Sequence, residues 1–265
     1  GDNGDGRIDG LVKAEAIGVV TRISESSSLT GDSGASKMDK MYGRERALLA
    51  HVMETAVKGS PESVLESMDQ FWQQQFEMQG THTWNLRSQI VDEVMSEKEP
   101  RRCLELGTYC GYSSLRIANA LSEGSKLVTV EWDPLFSAIA LKIIKHAGLD
   151  HMVHIVDGTV VTNLDRIVEE LGCSADGSTR VVDLLLCDHS KDQYVPDIKS
   201  LESAGLVGQG TVVVGDTTVY PGEEETASDQ ALLIYLSASK KHHVQRHHST
   251  EGFGGITVAE WVHLP

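Results

Sequence analysis

Basic residues are in short supply in this chain. Lys and Arg together number 23 against 39 Asp and Glu, which leaves a formal net charge of -16. A field of that sign repels nucleic-acid phosphates and anionic bilayers alike, so neither nucleic acid nor membrane is an expected partner. Long apolar runs are also lacking. Val181-Val182 and Leu184 to Cys187 are among the longest stretches, and charge or Gly interrupts them well before the ~20 residues that a membrane span needs. Cysteine is sparse: Cys103, Cys110, Cys173 and Cys187 form no CxxC pair and have no His at finger spacing. That argues against a zinc finger and a secreted disulfide framework, and predicts a reducing, cytoplasmic setting. The chain starts at Gly1 with no charged-then-apolar leader, and is read here as a piece of a longer protein.

What the sequence does contain is enough apolar residue, 40% of 265, to bury a substantial core. Residues 1–40 are set apart as a flexible N-terminal arm, rich in Gly, Asp and Ser and without apolar periodicity. Asn3, Asp5, Gly6 and Ile8 match part of a calcium loop, but Gly1 and Val12 stand where its terminal acids belong, leaving too few oxygen ligands. Residues 41–265 form the expected domain. Leu48, Leu49, Val52, Met53, Ala56 and Val57 make one helical stripe. Ser60-Pro61-Glu62 opens a second helix, and a third is predicted over Leu86 to Met95.

Short apolar runs then alternate with amphipathic ones. The predicted strands are Cys103 to Leu106, Leu127 to Val130, Val153 to Val156, Val181 to Leu186 and Thr211 to Val214, the rhythm of a doubly wound α/β sheet. A helix with Ala231, Leu232, Ile234 and Leu236 follows, then a hairpin of strands 243–248 and 256–263 that should extend the sheet edge with antiparallel pairing. His242, His243, His247 and His248 fall in this hairpin and are read as a partly solvated edge strand.

Chemistry concentrates where strands meet the turns that follow them. Gly107 stands where the first strand turns into its helix, and Gly there admits a ligand to the carboxyl edge of the sheet. A tight strand-to-helix corner would need the same Gly. Tyr109 and Tyr112 occupy positions where a dinucleotide fingerprint requires Gly, so a pyrophosphate is disfavoured. Glu131 ends the second strand, 24 positions after Gly107, where an acid can accept from both ribose hydroxyls. A nucleoside without a diphosphate is what S-adenosylmethionine offers. Asp188 and Asp216 end what should be adjacent strands, hard oxygen ligands suited to one Mg²⁺. Lys191, three positions after Asp188, is placed to take a proton from a substrate hydroxyl beside that metal.

The run Leu104 to Ser113, the segment Asp188-His189-x-Lys191-Asp192-x-Tyr194-x-Pro196-Asp197, and Asp216 with Pro221-Gly222 together resemble the catechol O-methyltransferases from about Glu45 onward. The resemblance implies a Rossmann-like, seven-stranded methyltransferase sheet with a reversed C-terminal hairpin and extra N-terminal helices. It implies that Glu105, Gly107, Tyr109 and Ser113 surround the methionine part of S-adenosylmethionine, that Glu131 holds its ribose, and that Trp132 and His189 lie near adenine. Met78 would border the sulfonium. Asp188, Asp216 and Thr217 occupy the metal-ligand positions, with Lys191 as catalytic base. Phe76, Ser190 and Pro221 would border the substrate, a catechol-like small molecule whose two adjacent oxygens Mg²⁺ chelates.

Three residues depart from the family pattern. Thr217 replaces its third metal ligand, an Asn, and Phe76 and Ser190 replace two Trp residues. The family's late substrate-binding Glu has no counterpart that the alignment places. The rival reading is a catalytically weak or inactive S-adenosylmethionine-binding protein that serves as an interaction module. Cys110, beside Tyr109, is read as a packed residue rather than a reactive thiol.

Overall fold

The computed structural model describes residues 42–77, 84–173, 181–217, 226–238, 240–248 and 255–262. The proposed arm, Met78, Pro221 and the side chain of Phe76 lie outside the described residues.

Three helices come first, α1 (Gly43–Thr55), α2 (Pro61–Glu77) and α3 (Trp84–Lys98). Strand and helix then alternate: β1 (Arg102–Leu106), α4 (Tyr112–Ala120), β2 (Lys126–Glu131), α5 (Pro134–Ala147), β3 (Val153–Asp157), α6 (Leu164–Glu170), β4 (Leu184–Cys187), α7 (Tyr194–Ser203) and β5 (Val212–Asp216). The chain closes with α8 (Ala227–Ser237), β6 (His242–His248) and β7 (Gly255–Trp261). Among the described residues the sheet has seven strands in the order β3-β2-β1-β4-β5-β7-β6. Pairing is parallel from β3 through β5, and β7 runs antiparallel to both β5 and β6, the reversed hairpin.

Both faces of the central strands are covered, which is why those strands read as continuous apolar runs and not as alternating ones. Leu184 and Leu186 join one core with Leu48, Val52, Met68, Ile90, Leu115 and Ile139 of α1 to α5. Leu185 and Cys187 point the other way, into a second core with Ile167, Ile198, Leu201, Leu232 and Leu236 of α6 to α8. Three of the four cysteines, Cys103, Cys110 and Cys187, are buried; desolvation pushes the Cys110 thiol well above its ordinary value, so it is a packing residue.

Local chemistry sets the element ends. Asp133 caps α5 by accepting from the Leu135 and Phe136 amides at 2.8 and 3.3 Å, with Pro134 at the first helical position and Gly148 in the left-handed conformation after the last turn. The fourth strand begins three residues later than Val181. Asp183 accepts from the backbone amides of Arg101 and Arg102, both at 2.8 Å, and this tie pins the start of β1 before sheet pairing begins. The histidine-rich strand is the sheet edge, but it is not uniformly solvated. His243 faces solvent, whereas the His242 ring is 2% exposed, packs edge-on against Trp261 at 4.7 Å and bonds the Leu236 carbonyl through Nδ1 at 2.9 Å.

Candidate active site

The carboxyl ends of β1, β2, β3 and β4 open onto one cavity of about 850 Å³, within the range of ~300–1,000 Å³ usual for small-molecule sites. Its wall includes Gly107 and Tyr109 after β1, Glu131 and Trp132 at the end of β2, Gly158 and Thr159 after β3, and Asp188, His189 and Ser190 after β4. Two large rings from elsewhere, Trp72 of α2 and Phe136 of α5, complete it.

The turn after β1 is built by Glu131. Its Oε2 accepts from the amides of Thr108 at 3.1 Å and Tyr109 at 2.8 Å, and its Oε1 accepts from the amide of Asp133 at 2.9 Å. Burial pushes this carboxyl up, and the bonds from Asp133, Tyr109 and Thr108 pull it back. Tyr109 takes a φ of +48°, uncommon for a bulky residue, and is held there from several sides. Its ring meets Phe136 edge-on at 4.8 Å and stacks on Trp72 at 6.3 Å, while its hydroxyl donates to Glu45 at 2.5 Å.

Gly107, at φ +95°, carries the backbone crossing of β1 and β4: a Cβ there would lie 2.6 Å from the Asp188 carbonyl oxygen and 2.9 Å from the His189 nitrogen. Gly107→Ala is therefore expected to cost at least ~1–3 kcal/mol from the left-handed backbone, before the clash adds to it. Urea unfolding checks this, and an unchanged midpoint would mean that the two loops can separate freely.

Glu105 lies beneath the turn and not in the cavity wall. Its side chain is fully buried and accepts from Ser114 Oγ and from Thr129 Oγ1, the latter at 2.7 Å. Burial raises its pKa, and bonds from Ser113, Ser114 and Thr129 oppose the rise. Its Oε2 is taken up by these bonds while its Oε1 has no partner among the described residues, and Ser113 stands in the first turn of α4. Trp132 is 74% exposed on the cavity rim, a flat apolar surface left open to a ligand. His189 is oriented by Asp197, with Nε2 and Oδ2 3.0 Å apart, and its ring leans on Tyr194 at 5.0 Å. Tyr194 in turn donates to the Asp216 carbonyl at 3.0 Å, which ties the loop after β4 to the end of β5.

Asp188 and Asp216 do stand side by side, and one cation joins them. Arg87 Nη1, from the first turn of α3, bonds Asp188 Oδ1 and lies 3.4 Å from Asp216 Oδ2. Desolvation pushes Asp188 up to about 7; Arg87 lowers it, and the charges of Asp216 and Glu105 raise it further. Two hard carboxylates that converge on a single positive group fit a cation such as Mg²⁺. Thr217 fits less well, because the residue is 1% exposed; its hydroxyl donates to the Gly255 carbonyl at 2.6 Å. Among the described residues no three His, Cys, Asp or Glu side chains are grouped to hold a metal. Lys191 is turned to Asp229, its Nζ 2.6 Å from Oδ1, beside the capping box that starts α8.

Arg87, Trp72, Phe136 and Asp197 are among the residues of the site to which the sequence alone gave no part. Asp197 was visible as a motif member. Arg87 gave no local signal, because its partners lie 101 and 129 positions away.

A family profile described as O-methyltransferase matches residues 54–242. The chain belongs to the O-methyltransferase family. It is 38% identical to catechol O-methyltransferase of Bos taurus over 180 residues, 68% of this chain and 63% of the relative. It is 36% identical to the Mus musculus catechol O-methyltransferase over 196 residues, covering 74% and 69%, and 32% identical to the transmembrane O-methyltransferase of Homo sapiens over 206 residues, covering 77% and 66%. The chain thus spans just under two thirds of the length of the bovine relative. No helix among the described residues is long and apolar enough to cross a membrane. Among solved structures, an O-methyltransferase from Bacillus cereus in complex with SAH superimposes with a TM-score of 0.57 at 17% identity, covering 94% of this chain and 99% of that one, which establishes the shared fold.

Proposed function

We propose that this protein transfers a methyl group from S-adenosylmethionine to a hydroxyl of a catechol-like small molecule. The observation that carries the reading is that one cavity brings Gly107, Glu131 and Trp132 together with Asp188, whose neighbour Asp216 shares the Arg87 guanidinium with it. Similarity to catechol O-methyltransferases supports the substrate class.

In this reading Glu131 accepts from the ribose hydroxyls, Trp132 and His189 flank the adenine, and Tyr109 with Ser113 borders the methionine part. Met78, Phe76 and Pro221 keep the places near the sulfonium and substrate that the family pattern gives them. Bound S-adenosylmethionine supplies an electrophilic methyl on a sulfonium, whose sulfur leaves as a neutral thioether. Asp188 and Asp216 would hold Mg²⁺, with Thr217 beside them, and the ion would supply charge that acidifies and aligns the two adjacent substrate oxygens. Lys191, once it has left Asp229 and given its own proton to solvent, accepts the proton of one substrate hydroxyl at Nζ, and the oxygen so released takes the methyl carbon. The aromatic wall of Trp72, Tyr109 and Phe136 excludes water and keeps the reacting groups close.

The rival, cofactor binding without effective catalysis, draws support from the pairing of Lys191 with Asp229 and from the burial of Thr217. Transfer of labelled methyl to a panel of catechols, with Mg²⁺ and with EDTA, separates the two. Metal-dependent transfer is expected, and cofactor binding with no transfer to any catechol would favour the rival.

A further inference from the structure

The Arg87 guanidinium sits between the two carboxylates that would have to share a divalent ion. Its Nη1 bonds Asp188 Oδ1 and stands 3.4 Å from Asp216 Oδ2. The side chains are 17% exposed for Arg87, 24% for Asp188 and 9% for Asp216, so water screens this triad poorly. Two carboxylates at the tips of the neighbouring strands β4 and β5 repel one another and need a positive partner to stay together. Arg87 provides one that cannot be lost by deprotonation, since a guanidinium stays charged in proteins. The nearby Thr217, which follows Asp216, is 1% exposed, so its oxygen is shielded from the open cavity.

We propose that Arg87 is a resident cation that competes with the metal for Asp188 and Asp216, so that a divalent ion enters only as the guanidinium swings away. This rests on the metal-dependent reading above and deepens it. A guanidinium and a divalent cation on the same two carboxylates would repel one another at close range, where screening is weak. Arg87 lines the open cavity, into which its side chain can swing. Metal affinity is then set by what the ion must displace as well as by its ligands. Arg87 is a positioning residue that keeps the acidic pair assembled in the absence of metal and raises the metal concentration needed to occupy it.

The test is Mn²⁺ binding to the full chain, followed by the paramagnetic resonance signal of free Mn²⁺, for wild type, Arg87→Met and Arg87→Lys. Arg87→Met is expected to bind Mn²⁺ roughly tenfold or more tightly than wild type, and Arg87→Lys, which keeps the charge, to stay near wild type. Adding Asp216→Asn to Arg87→Met should abolish the gain, which assigns the bound ion to this pair. A measurement on the wild type needs no variant to fold: saturating Mn²⁺ should increase phenylglyoxal modification of Arg87, read by peptide mass spectrometry. Equal or weaker Mn²⁺ affinity in a folded Arg87→Met, or no rise in Arg87 modification, overturns the competition while metal-dependent methyl transfer would still stand. If no form binds Mn²⁺ and transfer continues in EDTA, the metal reading falls and the competition with it.

Discussion

Lys191→Ala is expected to lower turnover on a catechol by roughly 10²–10⁴-fold, the usual contribution of a positioned general base. Affinity for S-adenosylmethionine should hardly change, because Lys191 is held by Asp229 in front of α8 and Glu131 and Trp132 lie at the end of β2. The variant should also fold normally. Asp229 Oδ2 keeps the amide and hydroxyl of Thr226, both at 2.7 Å, so the cap of α8 survives loss of the ammonium. Steady-state kinetics with calorimetry of cofactor binding checks the pair of effects. Unaltered turnover would put the base elsewhere, and a matched loss of cofactor affinity would make Lys191 a binding residue.

Glu131→Ala is expected to weaken cofactor binding by ~2 kcal/mol, about thirtyfold, the range for hydrogen bonds to a charged group. Two losses combine in this variant. The ribose hydroxyls lose their acceptor, and the amides of Thr108, Tyr109 and Asp133 are left without theirs, so the strained Tyr109 turn loses its tie. Glu131→Gln separates the two. A carboxamide oxygen can still accept from Thr108 and Tyr109, which share Oε2, but it cannot offer the two acceptor oxygens that both the turn and the ribose need. The glutamine variant should therefore melt closer to wild type than the alanine variant, yet still bind the cofactor weakly. Calorimetry showing wild-type affinity in both would remove Glu131 from the ribose.

Element order and type were readable along the chain because they depend on near neighbours. The stripe of Leu48, Leu49 and Val52 and the Ser60-Pro61 start marked α1 and α2, and the predicted strands fall within three residues of the observed ones. The carboxyl edge was readable for the same reason, since each strand ends in its own turn and Gly107, Glu131, Asp188 and Asp216 stand at those ends. The adjacency of Asp188 and Asp216 followed once β4 and β5 were taken as neighbours, which they are.

Sequence by itself thus determined the topology, the edge that carries chemistry and the residue types gathered there. Tertiary structure decided which partner each side chain takes. The family resemblance makes Glu105 a cofactor residue, and the structure adds that one of its oxygens accepts from Ser114 and Thr129, which no local pattern announces. The family resemblance puts Thr217 at a metal-ligand position, and antiparallel pairing with β7 adds the Gly255 carbonyl, 2.6 Å away, to which its hydroxyl donates. Arg87 carries no sign of its role, because a guanidinium on the first turn of α3 looks solvated until the fold delivers two carboxylates to it. Backbone periodicity is a local property encoded over a few residues, whereas the pairing of charges and lone pairs depends on which groups the packed elements bring within about 3 Å of one another.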